Sequence, residues 1–234
     1  MAQEQSPPGD VIAAAGAWLG TALKSSGFRW VPGQLRLERR PGKLIHQVHF
    51  QPNRHNKPGE LVKVGTILNV RDEELRRWRR INADRILGQG DLFCAHLLGY
   101  ASGRHRGHVY GEAADGDIDL TDPATRAERL ESFAAVFRGA VVPWFDEASS
   151  PDLIVNSRAG DYTNRPSALV EWLASRHRPD LIEAYVYRYL SRIPDAQPRY
   201  EAGWAKAAAG VPSFGLRSGD MAEELGWSVG KVSI

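Results

Sequence analysis

Three runs of alternating apolar residues, joined by short turns, most constrain what this chain can fold into. They cover residues 28–40, with a kink expected at Pro32-Gly33, then residues 44–51 and residues 61–70. Successive side chains of a strand point to opposite faces, so alternation is typical of a half-buried strand. Adjacent strands joined by short turns pair antiparallel, and the pattern therefore predicts a three-strand meander.

Helices are expected before and after this meander along the chain. A helix over residues 11–24, capped by Asp10, precedes it and would cover one side of the sheet. After residue 121 the apolar positions recur at helical spacing, with Asp122 as an N-cap, Pro123 at the first helical position and Pro143 as a kink. Further helices are predicted over residues 164–177, 179–192 and 199–209.

The predicted fold class is α+β: an N-terminal helix packed on an antiparallel β-meander sheet, followed by a helical C-terminal half. A chain of 234 residues with 42% hydrophobic content can bury a sizeable core as one domain. We expect a flexible tail, the helix plus meander, a helical part of the same domain and an irregular C-terminal segment. These parts are predicted over residues 1–9, 10–120, 121–210 and 211–234.

Composition favours a cytoplasmic protein. The single cysteine, Cys94, cannot form an internal disulfide, and no apolar run approaches the roughly 18 residues of a membrane span. The first ten residues lack the basic and apolar regions of a secretory signal. The net charge of +2 argues against a dedicated nucleic-acid coat, although a local basic face would be compatible with it.

The order of helix, Gly-Phe, meander and then helices resembles a bacterial family, domain of unknown function 4304. The likeness covers residues 10–192 and is carried by residues 18–29, 46–51, 62–70 with Gly65, and 141–145. The resemblance implies a fold and no established activity. Some relatives are thought to lie beside toxin genes as immunity proteins, which implies a protein partner.

Histidines and neighbouring polar residues provide the first candidate site. His46 and His49 are three apart on a predicted strand, so they point to opposite faces and cannot chelate one ion together. His46 is expected in the core. His49 shares the outward face with Gln47 and Gln51, and Arg54 follows in a polar loop. We interpret these outward residues as a candidate binding surface.

Charged segments provide further candidates. Arg104, His105 and Arg106 form the densest cationic cluster and would suit an anion, or else an exposed basic turn. Asp115, Asp117 and Asp119 lack the spacing of an EF-hand, since Leu120 and Arg126 stand where the glycine and the closing glutamate are needed. They are expected to stabilise the positive N-terminal end of the following helix rather than to bind a metal ion.

Residues 71–80 place five arginines around Trp78. Such a segment could bind a nucleic-acid strand through phosphate contacts and base stacking. Acids at three- and four-residue spacing favour self-paired helix charge instead. Cys94 and His96 are two apart in an apolar run, so a Cys–His pair is geometrically allowed, but a buried cysteine is commonly inert. No phosphate-binding loop, dinucleotide fingerprint or zinc pair occurs, and no cofactor or metal is predicted.

The sequence therefore favours a non-enzymatic protein-binding module, of immunity or regulatory type, over two alternatives. The first alternative is a small enzyme or ligand-binding protein with a pocket between sheet and helices. Its pocket would draw on His46 or His49, Arg54, Cys94, His96 and Tyr110. The second is a nucleic-acid contact through residues 71–80. No membrane partner is predicted.

Overall fold

The computed structural model describes residues 6–102 and 117–232. It is an α+β fold with six strands in the N-terminal half and helices in the C-terminal half, as the sequence predicts. The chain divides into two compact units, residues 1–69 with 96–146 and residues 70–95 with 147–234. The chain passes between the units at three places, inside the strands Lys63–Asp72 and Leu92–Leu97 and inside the helix Val142–Ala148.

The strands of the sheet follow the predicted meander. The strands are β1 Arg29–Val31, β2 Arg36–Arg39, β3 Leu44–Pro52, β4 Lys63–Asp72, β5 Leu92–Leu97 and β6 Ile118–Asp119. They pair in the order β1-β2-β3-β4-β5, with β6 beside β4. β1 with β2 and β2 with β3 are antiparallel, and a 3₁₀ turn at Pro32–Gln34 forms the kink expected at Pro32-Gly33. The predicted meander is therefore confirmed.

In the first unit, helix α1 (Pro8–Ala22) covers one side of the meander. It begins two residues before the predicted cap at Asp10, because Pro8 occupies the first turn, where a missing N–H costs nothing. The Trp30 side chain lies against Gly16 and Gly20, where any Cβ atom would overlap it. These two glycines let the helix approach the edge strand closely.

The later helices of the first unit complete its core. They are α3 (Leu98–Ala101), α4 (Arg126–Val136) and α5 (Val142–Ala148), which continues into the second unit. α4 begins at Arg126, not at Pro123 as predicted, since Asp122 accepts the Ala124 N–H and forms a separate turn. A π-helical turn, Phe137–Val141, lies where the kink at Pro143 was expected. Proline cannot donate to a carbonyl four residues back, and this wider turn accommodates that loss.

The second unit contains most of the helices. They are α2 (Glu73–Ile81), α6 (Pro151–Ile154), α7 (Arg158–Tyr162), α8 (Pro166–Ser175), α9 (Pro179–Arg192), α10 (Ala196–Ala208) and α11 (Met221–Val232). The prediction that residues 211–234 are irregular is wrong over α11, which is a regular helix. Gly226 suggests a loop in the sequence, but it lies, with Gly203 of α10, where α10 and α11 cross at backbone contact distance.

Candidate functional site

The side of β1, β2 and β3 that α1 does not cover carries a cluster of charged and polar side chains. The register pairs Arg29 with Glu38, Glu38 with Gln47, and Arg36 with His49, so these side chains share one side of the sheet. We call this surface the outer face. It comprises Arg29, Arg36, Glu38, Arg40, Gln47, His49 and Gln51.

Glu38 lies at the centre of the outer face and is only 1% exposed. Its Oε1 accepts hydrogen bonds from Arg29 Nη2 at 2.9 Å and from Arg40 Nε at 2.8 Å. Its Oε2 accepts from Arg36 Nη2 at 2.5 Å and from Gln47 Nε2 at 3.1 Å. One carboxylate therefore orients three guanidinium groups.

The electrostatics of this cluster favour an anionic partner. Burial alone would raise the pKa of Glu38, but hydrogen bonds from Arg40 and Gln47 and the charge of Arg36 outweigh it and lower the pKa to about 2. The carboxylate is thus ionised at neutral pH and contacts three guanidinium groups. The side chains of Arg29 and Arg40 are 67% and 49% exposed, so both are accessible to a partner.

The predicted binding residues divide by exposure. Gln47 is buried and held by Glu38, and His49 is half-buried with Nε2 3.1 Å from Gln47 Oε1. Gln51 and Arg54 are exposed. Sequence reasoning placed Gln47, His49 and Gln51 on one face, but it missed Arg29, Arg36 and Arg40, whose grouping depends on the register.

Gln51 and Arg54 also line a pocket of about 400 Å³ at the β3–β4 hairpin. The structure adds Asn53, His55, Gly65 and Asp117 to its lining. Arg54 Nε donates to His55 Nε2 at 3.0 Å, and a Cβ atom at Gly65 would come within 3.1 Å of Asp117 Oδ1. A glycine inside the predicted strand was the available signal for this opening.

Two candidate catalytic residues of the first unit, His46 and His96, are buried. His46 packs in the core as predicted, with its ring stacked on Phe145 at 4.6 Å and its Nδ1 accepting from Arg39 Nε at 3.1 Å. Burial and the charge of Arg39 lower the pKa of His46 to about 3. His96 is buried with its ring 4.2 Å from Tyr100, and burial lowers the pKa of His96 to about 4. Both imidazoles are neutral at pH 7.

Cys94 belongs to the second unit and is fully buried. Its Sγ donates to the Ala159 carbonyl at 3.5 Å. Burial, opposed by a hydrogen bond with Thr163, raises the pKa of the Cys94 thiol to about 12. The thiolate needed for nucleophilic attack is therefore scarce at neutral pH.

Three arginines of residues 71–80 form ion pairs, but their acidic partners lie outside this segment rather than on the same helix. Arg71 and Arg76 both bind Asp91, and Arg79 forms a buried ion pair with Glu171. Arg77 and Arg80 are the members of this segment that are exposed and make no ion pair with described residues.

The acidic run and the cationic cluster lie largely outside the described residues: Arg104, His105, Arg106, Tyr110 and Asp115 all fall there. Asp119 pairs with Lys63 at 3.6 Å and accepts the Thr121 N–H at 3.0 Å. Within residues 6–102 and 117–232 no three His, Cys, Asp or Glu side chains cluster as metal ligands.

Comparison of the chain with protein-family models, with curated proteins and with solved structures finds no match. In the described part of the chain, every helix is too short or too polar to cross a membrane.

Proposed function

We propose that this protein is a non-enzymatic protein-binding module whose outer face docks an acidic segment of a partner protein. The observation that carries this proposal is the single Glu38 carboxylate shared by three guanidinium groups. Because Glu38 fixes one N–H of each arginine, the planar forks are held in place before a partner arrives. Preorganised guanidinium groups match carboxylate geometry and lose less side-chain entropy on binding.

The exposed sheet face and its arginines also suit a protein–protein interface. The short edge strand β1 and its neighbours present a sheet face, with Arg29 and Arg40 towards solvent and Gln51 exposed at its far end. Arginine is enriched at interface hot spots, and charged groups of one sign increase the rate of association with a partner of opposite sign. A partner rich in Asp or Glu would complement this face.

The resemblance to domain of unknown function 4304 is part of this proposal and supplies the immunity-type or regulatory role in a bacterial cytoplasm. An immunity protein must bind one toxin with high specificity, and a charged, preorganised face is one physical means of doing so. The burial of Cys94, His46 and His96 supports structural roles for these three residues.

Two alternatives keep specific support. The hairpin pocket, with Arg54, His55 and Asp117 in its lining, favours a ligand-binding protein. Exposed Arg77 and Arg80 favour a nucleic-acid contact on α2, although the pairing of Arg71, Arg76 and Arg79 weakens it. Guanidinium groups bind both phosphates and carboxylates, so the experiment must distinguish a nucleic-acid partner from a protein partner.

The test compares two matched double variants of the full chain. Arg29→Gln with Arg40→Gln removes two exposed charges from the outer face. Arg77→Gln with Arg80→Gln removes two exposed charges from α2. Each is used to capture partners from nuclease-treated extract of the native cell, and the captured protein is then purified for calorimetric titration at two salt concentrations.

We expect wild type and the α2 variant to bind the same acidic protein, with dissociation constants within about twofold. The outer-face variant should bind at least tenfold more weakly, a loss of about 1.4 kcal/mol, and with a smaller salt dependence. An equal loss in both variants, or capture that disappears after nuclease treatment, would contradict the proposal.

A further inference from the structure

A second pocket, of about 360 Å³, lies wholly within the second unit. Four segments form it: the loop at residues 87–88, the start of α8 at residues 164–168, the turn at residues 213–214, and Glu224 of α11. Its volume lies at the small end of the range of ligand pockets. The pocket is therefore sized for a small molecule.

One side of this pocket presents unpaired hydrogen-bond donors. α8 begins with Pro166 and has no side-chain cap, so the first backbone N–H groups of the helix remain without a side-chain acceptor. Ser167, at the second helical position, is only 7% exposed and its hydroxyl makes no hydrogen bond with any residue that the structure describes. Because Ser167 lines the pocket, a ligand bound there can pair with its hydroxyl.

A positive side chain strengthens this end of the pocket. Arg165 is exposed, lines the pocket and forms no ion pair within the described part of the chain. A helix N-terminus also carries partial positive charge. A carboxylate here would meet the Ser167 hydroxyl, the guanidinium group and the helix end together.

An acidic side chain also lines the pocket. Glu224 lines it, is half-buried and forms no ion pair with a described residue. Burial raises the pKa of Glu224, the nearby charges of Asp220 and Glu223 act in the same direction, and the Gly219 N–H and Arg165 oppose them. An ammonium group beside this carboxylate would relieve both the desolvation and the acidic surroundings.

The wall at residues 87–88 is held rigidly. Glu171 of α8 accepts the Leu87 N–H at 2.7 Å and the Gly88 N–H at 3.1 Å. A Cβ atom at Gly88 would overlap the Arg79 guanidinium group, which pairs with the same Glu171. The loop is thus tied to α8, so this wall of the pocket is preorganised.

The remaining lining combines the polar side chains of Asn164 and Ser213 with three apolar ones. Leu87 and Ala168 contribute aliphatic side chains, and Phe214 stands at the pocket with its ring 89% exposed. A large exposed aromatic beside a polar pocket suits an apolar group of the ligand, because covering it removes apolar surface from water.

From these contacts we infer that this pocket binds a small zwitterion, an α-amino acid with an aliphatic side chain. The ligand carboxylate binds Ser167, Arg165 and the start of α8. Its ammonium group binds Glu224, and its side chain covers Phe214 and Leu87. This site is separate from the outer face, and neither proposal depends on the other.

The probe is L-leucine, tested against two analogues that each lack one charge. 4-Methylpentanoic acid keeps the carboxylate and the side chain but has no ammonium group, and 3-methylbutylamine keeps the ammonium group but has no carboxylate. Binding to the full chain is measured by calorimetric titration and by the shift of the melting temperature. We expect L-leucine to bind and both analogues to bind at least tenfold more weakly.

Variants locate the site. Ser167→Ala and Glu224→Gln should each weaken L-leucine at least tenfold, and Ser167→Ala should leave the melting temperature of the free protein unchanged or higher, since the lost hydroxyl had no partner. The control is Ser175→Ala at the other end of α8, where the hydroxyl donates to the Trp172 carbonyl at 2.7 Å. This control should keep wild-type affinity.

Three results would overturn the inference. They are no binding of L-leucine, equal binding of 4-methylpentanoic acid, which would indicate a simple anion site, and unchanged affinity in both Ser167→Ala and Glu224→Gln.

Discussion

Arg79 and Glu171 form an ion pair in which both side chains are inaccessible to solvent, with exposed fractions of 3% and 0%. Arg79 Nε donates to Glu171 Oε2 at 2.7 Å, and Glu171 Oε1 accepts two backbone N–H groups from residues 87–88. Arg79 Nη1 also donates to the Leu92 carbonyl at 3.0 Å. The pair thus joins α2, the following loop and the start of β5 to α8.

Removing one partner of this pair should destabilise the protein far more than removing both. Glu171→Gln leaves the Arg79 charge buried without a counter-ion, so we expect a loss of about 3–5 kcal/mol in the free energy of unfolding. The double variant Arg79→Met with Glu171→Met should lose clearly less. Urea unfolding of Arg79→Met, Glu171→Met and the double variant measures this coupling, and additive losses would contradict it.

This pair also shows what the sequence could not reveal. Arg79 and Glu171 are 92 residues apart, and Arg79 stands in a segment that resembles an exposed charged helix. Their burial follows from the packing of α2 on α8, which no local pattern encodes. The meander was predictable because alternation is local, and α9 because Pro179 marks its first turn.

The crossing of α10 and α11 predicts a second effect. A Cβ atom at Gly226 would overlap the Tyr200 carbonyl oxygen, so Gly226→Ala must push the helices apart. We expect a net loss of about 1–3 kcal/mol, although alanine is the better helix former. Thermal unfolding measures it.

The matched control is Gly9→Ala, in the first turn of α1, where no atom lies within 4 Å of the new Cβ position. Here alanine should stabilise by up to about 1 kcal/mol. The two substitutions should therefore act with opposite sign. Destabilisation by Gly9→Ala, or none by Gly226→Ala, would contradict the packing described.

The glycines of α11 explain why the sequence suggested an irregular end. Gly226 and Gly230 interrupt the apolar pattern and have low helix propensity. Because these two residues have no side chain, Tyr200 and Trp204 of α10 can approach α11 closely.

Only part of the outer face could be predicted from the sequence. Gln47 and His49 alternate locally, whereas the meeting of Arg29, Arg36 and Arg40 at Glu38 needs the strand register.

Protonation of His46 should couple stability to pH. Its pKa is lowered to about 3 in the folded state, by burial and then by the charge of Arg39, whereas the unfolded chain has the ordinary value near 6.5. Below pH 6.5 the unfolded state binds a proton that the folded state does not. The stability due to His46 is therefore complete above pH 6.5 and is lost as pH falls towards 3.

His46→Gln should remove this part of the pH dependence. Between pH 6.5 and 4.5 the slope of unfolding free energy against pH should fall by up to about 1.4 kcal/mol per pH unit. His96, whose pKa burial lowers to about 4, should contribute in the same window, so the variant with both histidines replaced should be flatter still. Denaturant unfolding at several pH values tests this. A slope unchanged by His46→Gln would contradict a neutral, buried imidazole.

The Cys94 thiol should react only when the protein opens. It is fully buried and its pKa is raised to about 12, so both access and thiolate formation are blocked in the folded state. We expect iodoacetamide at pH 8 to modify it at least 10³-fold more slowly than an exposed thiol, as the unfolded fraction dictates. Ser25→Cys supplies an exposed thiol in the same molecule as an internal reference. Mass spectrometry of the two peptides gives both rates. Equal rates would place Cys94 within reach of a substrate and would favour the enzyme alternative over a binding module.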